Sequence, residues 1–112
     1  MKEYDNDMEA DIGKLELTAP RVTPEAIEEL LLDVTFHISQ PEGTTSTIVT
    51  AFDRNGFSLC TEVMACADPA NFNAELGVKY GKAKCLNSAK DELYKLEGYR
   101  LKCHLAEMEN CK

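Results

Sequence analysis

Apolar residues recur at three- and four-residue steps from Asp68 to Lys102, which predicts one long helix with one buried face. Asp68 and Pro69 form a helix-opening pair, because aspartate accepts from a first-turn N–H and proline needs no partner there; Asn71 or Asn73 is an alternative cap. Gly98 is the expected stop, since glycine readily takes the left-handed conformation that ends helices. The periodic positions are Phe72, Leu76, Tyr80, Ala83, Ala89 or Lys90, Leu93 and Leu96.

Small residues form a second pattern in this helix, at Gly77, Gly81, Cys85 and Ala89. Glycine inside a helix costs roughly 1 kcal/mol relative to alanine, so two glycines one turn apart indicate that other atoms pack close against this line. We expect the small-residue seam, defined by these four residues, to pack on the protein's own sheet. A helix from a second subunit and a ligand in the groove are the alternatives.

A shorter helix is predicted after Thr23, which can act as N-cap with Pro24 at the first position. Apolar residues then follow at helical spacing up to Asp33 or Val34, and alternation from about Thr35 predicts a strand. The segment 41–43, Pro-Glu-Gly, ends that strand.

Two further β-rich runs, 45–52 and 57–66, flank Asn55-Gly56, a strong hairpin signal. A two-residue loop places Phe52 opposite Leu59 and Thr50 opposite Thr61. The face expected to rest on the helices is Ile48, Thr50, Phe52, Phe57, Leu59 and Val63. The outer face is expected to carry Val49, Asp53, Ser58, Cys60, Glu62 and Met64.

The predicted fold is α+β, a two-layer sandwich with a short N-terminal helix, a three-stranded antiparallel sheet and a long C-terminal helix. One domain spans residues 21–105, between a disordered acidic tail (1–20) and a frayed C-terminus (106–112). The stretch from Tyr99 to Leu105 fits either an extended segment or a further helical turn. A sheet covered on one side leaves its edges exposed, so the sheet edge and the small-residue seam are two candidate surfaces for a homodimer.

The net charge and the distribution of apolar residues exclude some classes of function and some locations. Twelve basic and twenty acidic residues give a net charge of −8, which disfavours direct nucleic-acid binding and is compatible with a basic protein partner. Without an apolar run of about 20 residues we expect no membrane association. The acidic start differs from a secretory signal, so we expect a cytoplasmic protein whose five cysteines are reduced.

Catalytic motifs are missing from the sequence, which contains no phosphate-binding glycine loop, no GxSxG and no HExxH. His37 and His104 are the only histidines, and Cys103, beside His104, is the only cysteine with a neighbouring histidine. We therefore expect no enzyme, no metal and no cofactor.

Two sets of residues are candidates for binding. Carboxylates that could contact a basic protein are Glu3, Asp5, Asp7, Glu9, Asp11 and Glu62. Side chains that could stack on a nucleotide base or meet its phosphate are Lys79, Tyr80, Lys82 and Tyr94.

Four segments carry a family resemblance: TPEAIEELLLDVTFH, NGF, ACADPANFNAELG and KLEGYRLK. In this order and spacing, from about Val22 to Lys102, the chain resembles a family of small tailed-phage and prophage proteins of unknown function, named after products of N-four-like and Sf-six-like phages. Tyr94 stands where members usually have tryptophan, Gly81 stands where alanine is common, and the acidic N-terminus lies outside the pattern. The resemblance implies a phage or prophage origin and no assigned activity.

Genes of this kind often encode accessory proteins that bind host machinery, including antagonists of bacterial immunity. The leading hypothesis is a protein that binds and inhibits a host protein with a basic nucleic-acid-binding surface, as an anti-CRISPR protein does, in the bacterial cytoplasm. The alternative is a small-molecule binder that sequesters a nucleotide-derived immune signal.

Overall fold

A computed structural model describes residues 2–15 and 19–110, with side chains from Asp5 onward. The elements in chain order are α1 (Lys2–Lys14), α2 (Pro24–Leu32), β1 (Thr35–Ser39), β2 (Ser46–Phe52), β3 (Ser58–Ala65), a 3₁₀ turn (Pro69–Asn71) and α3 (Ala74–Asn110). The strands form one antiparallel sheet in the order β1-β2-β3, with α3 against β2 and β3 and α2 against α3. The predicted α+β class is confirmed. No helix in the described ranges is long and apolar enough to cross a membrane.

The helix α2 begins where the sequence predicts. The Thr23 hydroxyl accepts a hydrogen bond from the backbone N–H of Ala26 at 3.2 Å, and Pro24 occupies the first turn. Ile27, on the buried side of α2, is completely inaccessible to solvent. The helix is therefore fixed by a local cap at one end and by core packing along its length.

The hairpin register is confirmed in its body and is wrong beside the turn. Thr50 pairs with Thr61 as predicted, but Phe52 pairs with Ser58 and not with Leu59. The loop has three residues, because the N–H of Asp53 bonds to the Phe57 carbonyl at 2.9 Å. Gly56 takes φ of 78°, the left-handed conformation that such a loop requires at its last position. Farther along β3, Leu59 has no partner on β2 and forms a β-bulge between Ser58 and Cys60, which restores the predicted register in the body of the hairpin.

The prediction of which sheet face meets the helices is wrong for most of the hairpin, although Leu59 is buried in the core as predicted. The buried side chains of β2 are Thr47, Val49 and Ala51, whereas Ile48 and Thr50 alternate away from the helices. On β3 the sulfur of Cys60 touches α3, while Val63 is exposed. Both faces of this hairpin carry β-branched residues, so alternation alone does not show which side is covered.

The small-residue seam packs on the sheet, as expected. A β-carbon at Gly77 would overlap the Thr47 hydroxyl oxygen, and one at Gly81 would lie 2.8 Å from a Val49 methyl group. Cys85 and Ala89 continue the line and are fully buried. The absence of side chains along the seam therefore lets α3 approach the sheet closely.

The long helix differs from its predicted bounds at both ends. Asp68 caps only the 3₁₀ turn, and Asn73 caps α3 by accepting from the N–H of Leu76 at 3.1 Å. Gly98 does not end the helix, which continues to Asn110, so the helical alternative for residues 99–105 is correct. The residues after Gly98 are mostly good helix formers, and their combined propensity outweighs one glycine.

The N-terminal segment also differs from expectation. We expected residues 1–20 to be disordered, whereas Lys2–Lys14 form α1. Two ion pairs attach α1 to the domain, one from Asp5 to Lys90 and one from Glu9 to Arg21. The remaining tail positions at 1 and 16–18 lie outside the described residues, as do 111 and 112 of the expected C-terminal fraying.

Candidate protein-binding surface on α1 and α2

Negative charge is concentrated in the two N-terminal helices. Together α1 and α2 contain eight acidic and two basic residues, which is −6 of the net −8. By contrast α3 contains seven basic and six acidic residues. The charge of the protein is therefore polarised, with one acidic region and a nearly neutral long helix.

Lys90 lies at the centre of this region, inside the contact between the three helices. Its Nζ is 2.9 Å from the Oδ2 of Asp5 on α1 and 3.1 Å from the Oε1 of Glu28 on α2. The Lys90 side chain is 8% exposed and that of Asp5 is 10% exposed. The hydrogen bond with Asp5 raises the pKa of Lys90, burial opposes this, and Glu28 adds to the rise. The lysine thus stays charged and links α1 to α2.

A cleft of about 490 Å³ opens beside this ion cluster, between α1 and α2. Its walls are Asp5, Asn6, Pro24, Glu25, Glu28 and Lys90. Glu25 and Glu28 are exposed residues, so a cationic group entering from solvent would meet carboxylate oxygens. Carboxylates accept the charge-assisted hydrogen bonds that arginine and lysine side chains donate.

The predicted partner-binding acids on α1 divide into two groups. Asp5 and Glu9 are engaged internally, since Glu9 Oε1 accepts from Arg21 Nη1 at 2.8 Å. Asp7 and Asp11 are exposed and lie four residues apart, on one side of α1. The side chain of Glu3 lies outside the described residues. Asp7 and Asp11 are therefore the members of this set that face solvent.

Glu62 does not join this surface. It lies on β3 and faces α3, where its carboxylate accepts from the Ser88 hydroxyl at 2.6 Å and lies 3.5 Å from Lys84 Nζ. The Ser88 hydrogen bond is the main cause of a lowered Glu62 pKa, with burial opposing it and Lys84 supporting it. Its prediction as an outward-facing acid followed from the reversed sheet face.

The predicted nucleotide-binding residues do not form a common site. Tyr80 and Tyr94 are fourteen residues apart on α3, about 21 Å along a helix, too far to hold one base between them. Tyr80 is 53% exposed, with Lys79 Nζ 5.4 Å from its ring centroid. Lys82 Nζ lies 5.9 Å from the Phe36 ring centroid.

Tyr94 is directed into the protein and not toward Tyr80. Its hydroxyl is buried and has no hydrogen-bond partner among the described residues. Burial raises the pKa of Tyr94, and the charge of Asp5 adds to the rise. Tyr94 therefore borders the buried ion cluster at Lys90.

A smaller cavity, of about 170 Å³, lies beside Tyr80 at the start of α3. Polar side chains in its wall include Thr45, Asn71 and Asn73. This volume is below the roughly 300–1,000 Å³ typical of ligand pockets. No cluster of three or more histidine, cysteine, aspartate or glutamate residues in the described parts of the chain is placed to hold a metal ion.

Sequence reasoning missed Lys90, Glu28 and Arg21 as organising residues. A signal for Lys90 was present, because it falls beside Ala89 on the apolar stripe of α3, where a charge needs buried partners. Nothing in the sequence pattern identified Asp5 as one of those partners, because the two residues are 85 positions apart.

A family model described as "Phage protein (N4 Gp49/phage Sf6 gene 66) family" matches residues 22–105, three quarters of the chain. The chain belongs to this phage protein family. The match begins after α1 and covers α2, the sheet and most of α3. The helix α1 of this phage protein therefore precedes the region matched by the family. Neither a curated protein nor a solved structure matched the chain.

Proposed function

We propose that this phage protein binds and inhibits a protein of the bacterial host, using the acidic surface of α1 and α2 to occupy a basic nucleic-acid-binding surface. The observation that carries the proposal is the concentration of negative charge in these two helices, −6 of −8. A host defence complex that binds nucleic acid is the class of target with the complementary charge.

Exposed carboxylates on a folded surface can stand in for phosphates. Asp7, Asp11, Glu25 and Glu29 are exposed and distributed over the two helices. The negative electrostatic potential of these carboxylates speeds association with a basic partner and disfavours binding of acidic proteins. Both effects weaken as salt screens the charges. We therefore expect host-protein binding to depend on ionic strength.

The attachment of α1 supports the same proposal. Asp5 bonds to Lys90 and Glu9 bonds to Arg21, so two carboxylates hold the helix while Asp7 and Asp11 remain available. A surface that is ordered before binding loses less conformational entropy on association than a flexible acidic tail.

The test is a pull-down from bacterial host lysate at low and at moderate salt with three baits. The first is the parent protein and the second carries Asp7→Asn, Asp11→Asn, Glu25→Gln and Glu29→Gln. The matched control carries the same change in charge at exposed acids elsewhere: Glu42→Gln, Glu75→Gln, Glu107→Gln and Glu109→Gln. We expect the parent and the control variant to retain the same host protein. The α1–α2 variant should retain at least tenfold less of it.

The inhibitory part needs a second measurement. The retained protein is purified and its nucleic-acid binding is titrated with the parent and with the α1–α2 variant. Competition by the parent alone is the expected result. Equal capture by all three baits, capture of nothing, or capture without competition would each contradict the proposal.

A second candidate function is binding of a nucleotide-derived immune signal. Of the four predicted binding residues only Lys79 and Tyr80 remain candidates, because the side chains of Tyr94 and Lys82 lie elsewhere. The observation in its favour is the cavity beside the exposed Tyr80 ring, on which a base could stack. A thermal-shift screen with cyclic and linear nucleotides is the test, with Tyr80→Ala as the control. A flat screen, or a shift that survives Tyr80→Ala, removes this candidate.

A further inference from the structure

Two thiols meet where α3 packs on the sheet. The Sγ atoms of Cys60 on β3 and Cys85 on α3 are 3.3 Å apart, and Cys60 Sγ is 3.2 Å from the Cys85 carbonyl oxygen. A disulfide bond of about 2.05 Å needs these sulfurs to approach by roughly 1.2 Å. Small rotations of two cysteine side chains that already point at each other can supply this movement.

The pair is asymmetric in its access to solvent. Cys85 is completely buried on the small-residue seam, whereas Cys60 is partly exposed. A small oxidant can therefore reach Cys60 first, and Cys85 is in position to react with the product. This is the arrangement of an attacked thiol and a resolving thiol.

We propose that Cys60 and Cys85 are an oxidation site that forms a reversible disulfide between β3 and α3, with a peroxide as oxidant. The Cys60 thiolate attacks one peroxide oxygen, the O–O bond breaks, and Cys60 sulfenic acid and hydroxide form. The Cys85 sulfur then attacks the Cys60 sulfur, the S–O bond breaks, and hydroxide leaves. The two thiol protons convert the two hydroxides to water, so two thiols and one peroxide give one disulfide and two waters.

The disulfide bond would make the domain more resistant to thermal unfolding. It encloses residues 61–84, which contain most of β3, the 3₁₀ turn and the first third of α3. Crosslinking restricts the unfolded chain more than the folded one. The oxidised protein should therefore melt about 10 °C higher than the reduced protein.

The environment of Cys60 sets the speed of the reaction. Burial raises the pKa of Cys60 to about 12, and its hydrogen bond with Cys85 contributes to the rise. The reactive thiolate is therefore scarce at neutral pH, and the oxidation rate should increase about tenfold per pH unit between pH 7 and 10. The site thus responds to sustained oxidant and not to a brief pulse.

The test uses the full chain with Cys66→Ser, Cys103→Ser and Cys111→Ser, so that only the pair is present. Treatment with hydrogen peroxide should lower the summed mass of the peptides that carry Cys60 and Cys85 by 2 Da, apart from 16 Da on any methionine they contain, and dithiothreitol should restore the 2 Da. Adding Cys60→Ser as the control should abolish both the mass loss and the rise in Tm. The same mass measurement from pH 7 to 10 checks the tenfold slope.

Three outcomes would overturn the proposal: gains of 16, 32 or 48 Da located on Cys60 or Cys85 without the 2 Da loss, covalent dimers in place of an internal bond, or no reaction of these cysteines at pH 10. Circular dichroism shows whether the triple variant is folded. If it is not, peptide mapping of the oxidised parent protein decides, because a Cys60–Cys85 crosslinked peptide must then be the main product.

Discussion

The Nζ of Lys90 lies 2.9 Å from the Oδ2 of Asp5, and this contact joins the middle of α3 to a helix that precedes the region matched by the family. Because both side chains are about nine-tenths buried, the pair is shielded from solvent and salt. Together with the Glu9–Arg21 pair, this contact attaches α1, and with it the acidic surface, to the domain.

Asp5→Asn should therefore loosen α1. We expect a loss of about 1–3 kcal/mol in the free energy of unfolding, since Lys90 keeps Glu28 but loses its closer partner. Asp7→Asn is the control, because it changes an exposed acid on the same helix and should change stability by less than about 0.5 kcal/mol. Urea denaturation and hydrogen exchange of the α1 amides measure the difference. Equal behaviour of the two variants would show that the ion pair does not hold the helix.

Gly81→Ala should destabilise the protein by about 1–3 kcal/mol, and Gly81→Leu by at least as much. The added β-carbon would lie 2.8 Å from a Val49 methyl group and 3.3 Å from Met64 Cγ, in the packed seam. Gly98→Ala is the control, because nothing lies within 4 Å of its β-carbon position. That change should stabilise the helix by roughly 0.5–1 kcal/mol.

The cause of the Gly81 effect can be checked by thermal denaturation of a double variant. Val49→Ala alone should lower Tm, because Val49 is completely buried, but it should lower Tm less in the Gly81→Ala background, where it removes the methyl group that the new β-carbon meets. If Gly81→Ala and Gly98→Ala shift Tm in the same direction, the seam is not tightly packed.

The Glu62–Ser88 hydrogen bond should make the free energy of unfolding depend on pH in the acidic range. The folded-state pKa of Glu62 is lowered below its ordinary value of 4.5, so its contribution is fully present above pH 4.5 and is lost as pH falls through the lower folded pKa. Ser88→Ala should raise the pKa of Glu62 toward 4.5, because it removes the largest cause of the shift. NMR titration of the Glu62 carboxyl from pH 2 to 7 tests this, and an unchanged pKa would contradict it.

The homodimer remains a prediction, and the structure leaves fewer surfaces for it. The small-residue seam is occupied by the protein's own sheet, so a dimer would use the sheet, where β1 and β3 are the edge strands. Light scattering at high micromolar concentration should give twice the chain mass for the parent. Val63→Lys, which places a charge on the exposed face of β3, should lower that mass. A monomeric parent would refute the dimer.

The sequence by itself determined the features that depend on neighbours along the chain. Thr23 and Pro24 start α2 through one local hydrogen bond, and the body of the hairpin follows from the run of β-formers around Asn55-Gly56. The small-residue seam was also readable, because glycines one turn apart lack a local explanation and so indicate close packing.

Tertiary structure decided the features that depend on contacts between residues far apart in the sequence. Val49 and Ile48 are similar side chains on opposite faces of β2, and only packing against the seam of α3 selects Val49 for burial. A glycine such as Gly98 allows a helix to end but does not require it to end. The length of α3 therefore could not be predicted from Gly98 alone. The contact of α1 with α3 joins Asp5 to Lys90, 85 residues later, because a buried charge must find its counter-charge wherever the fold places one.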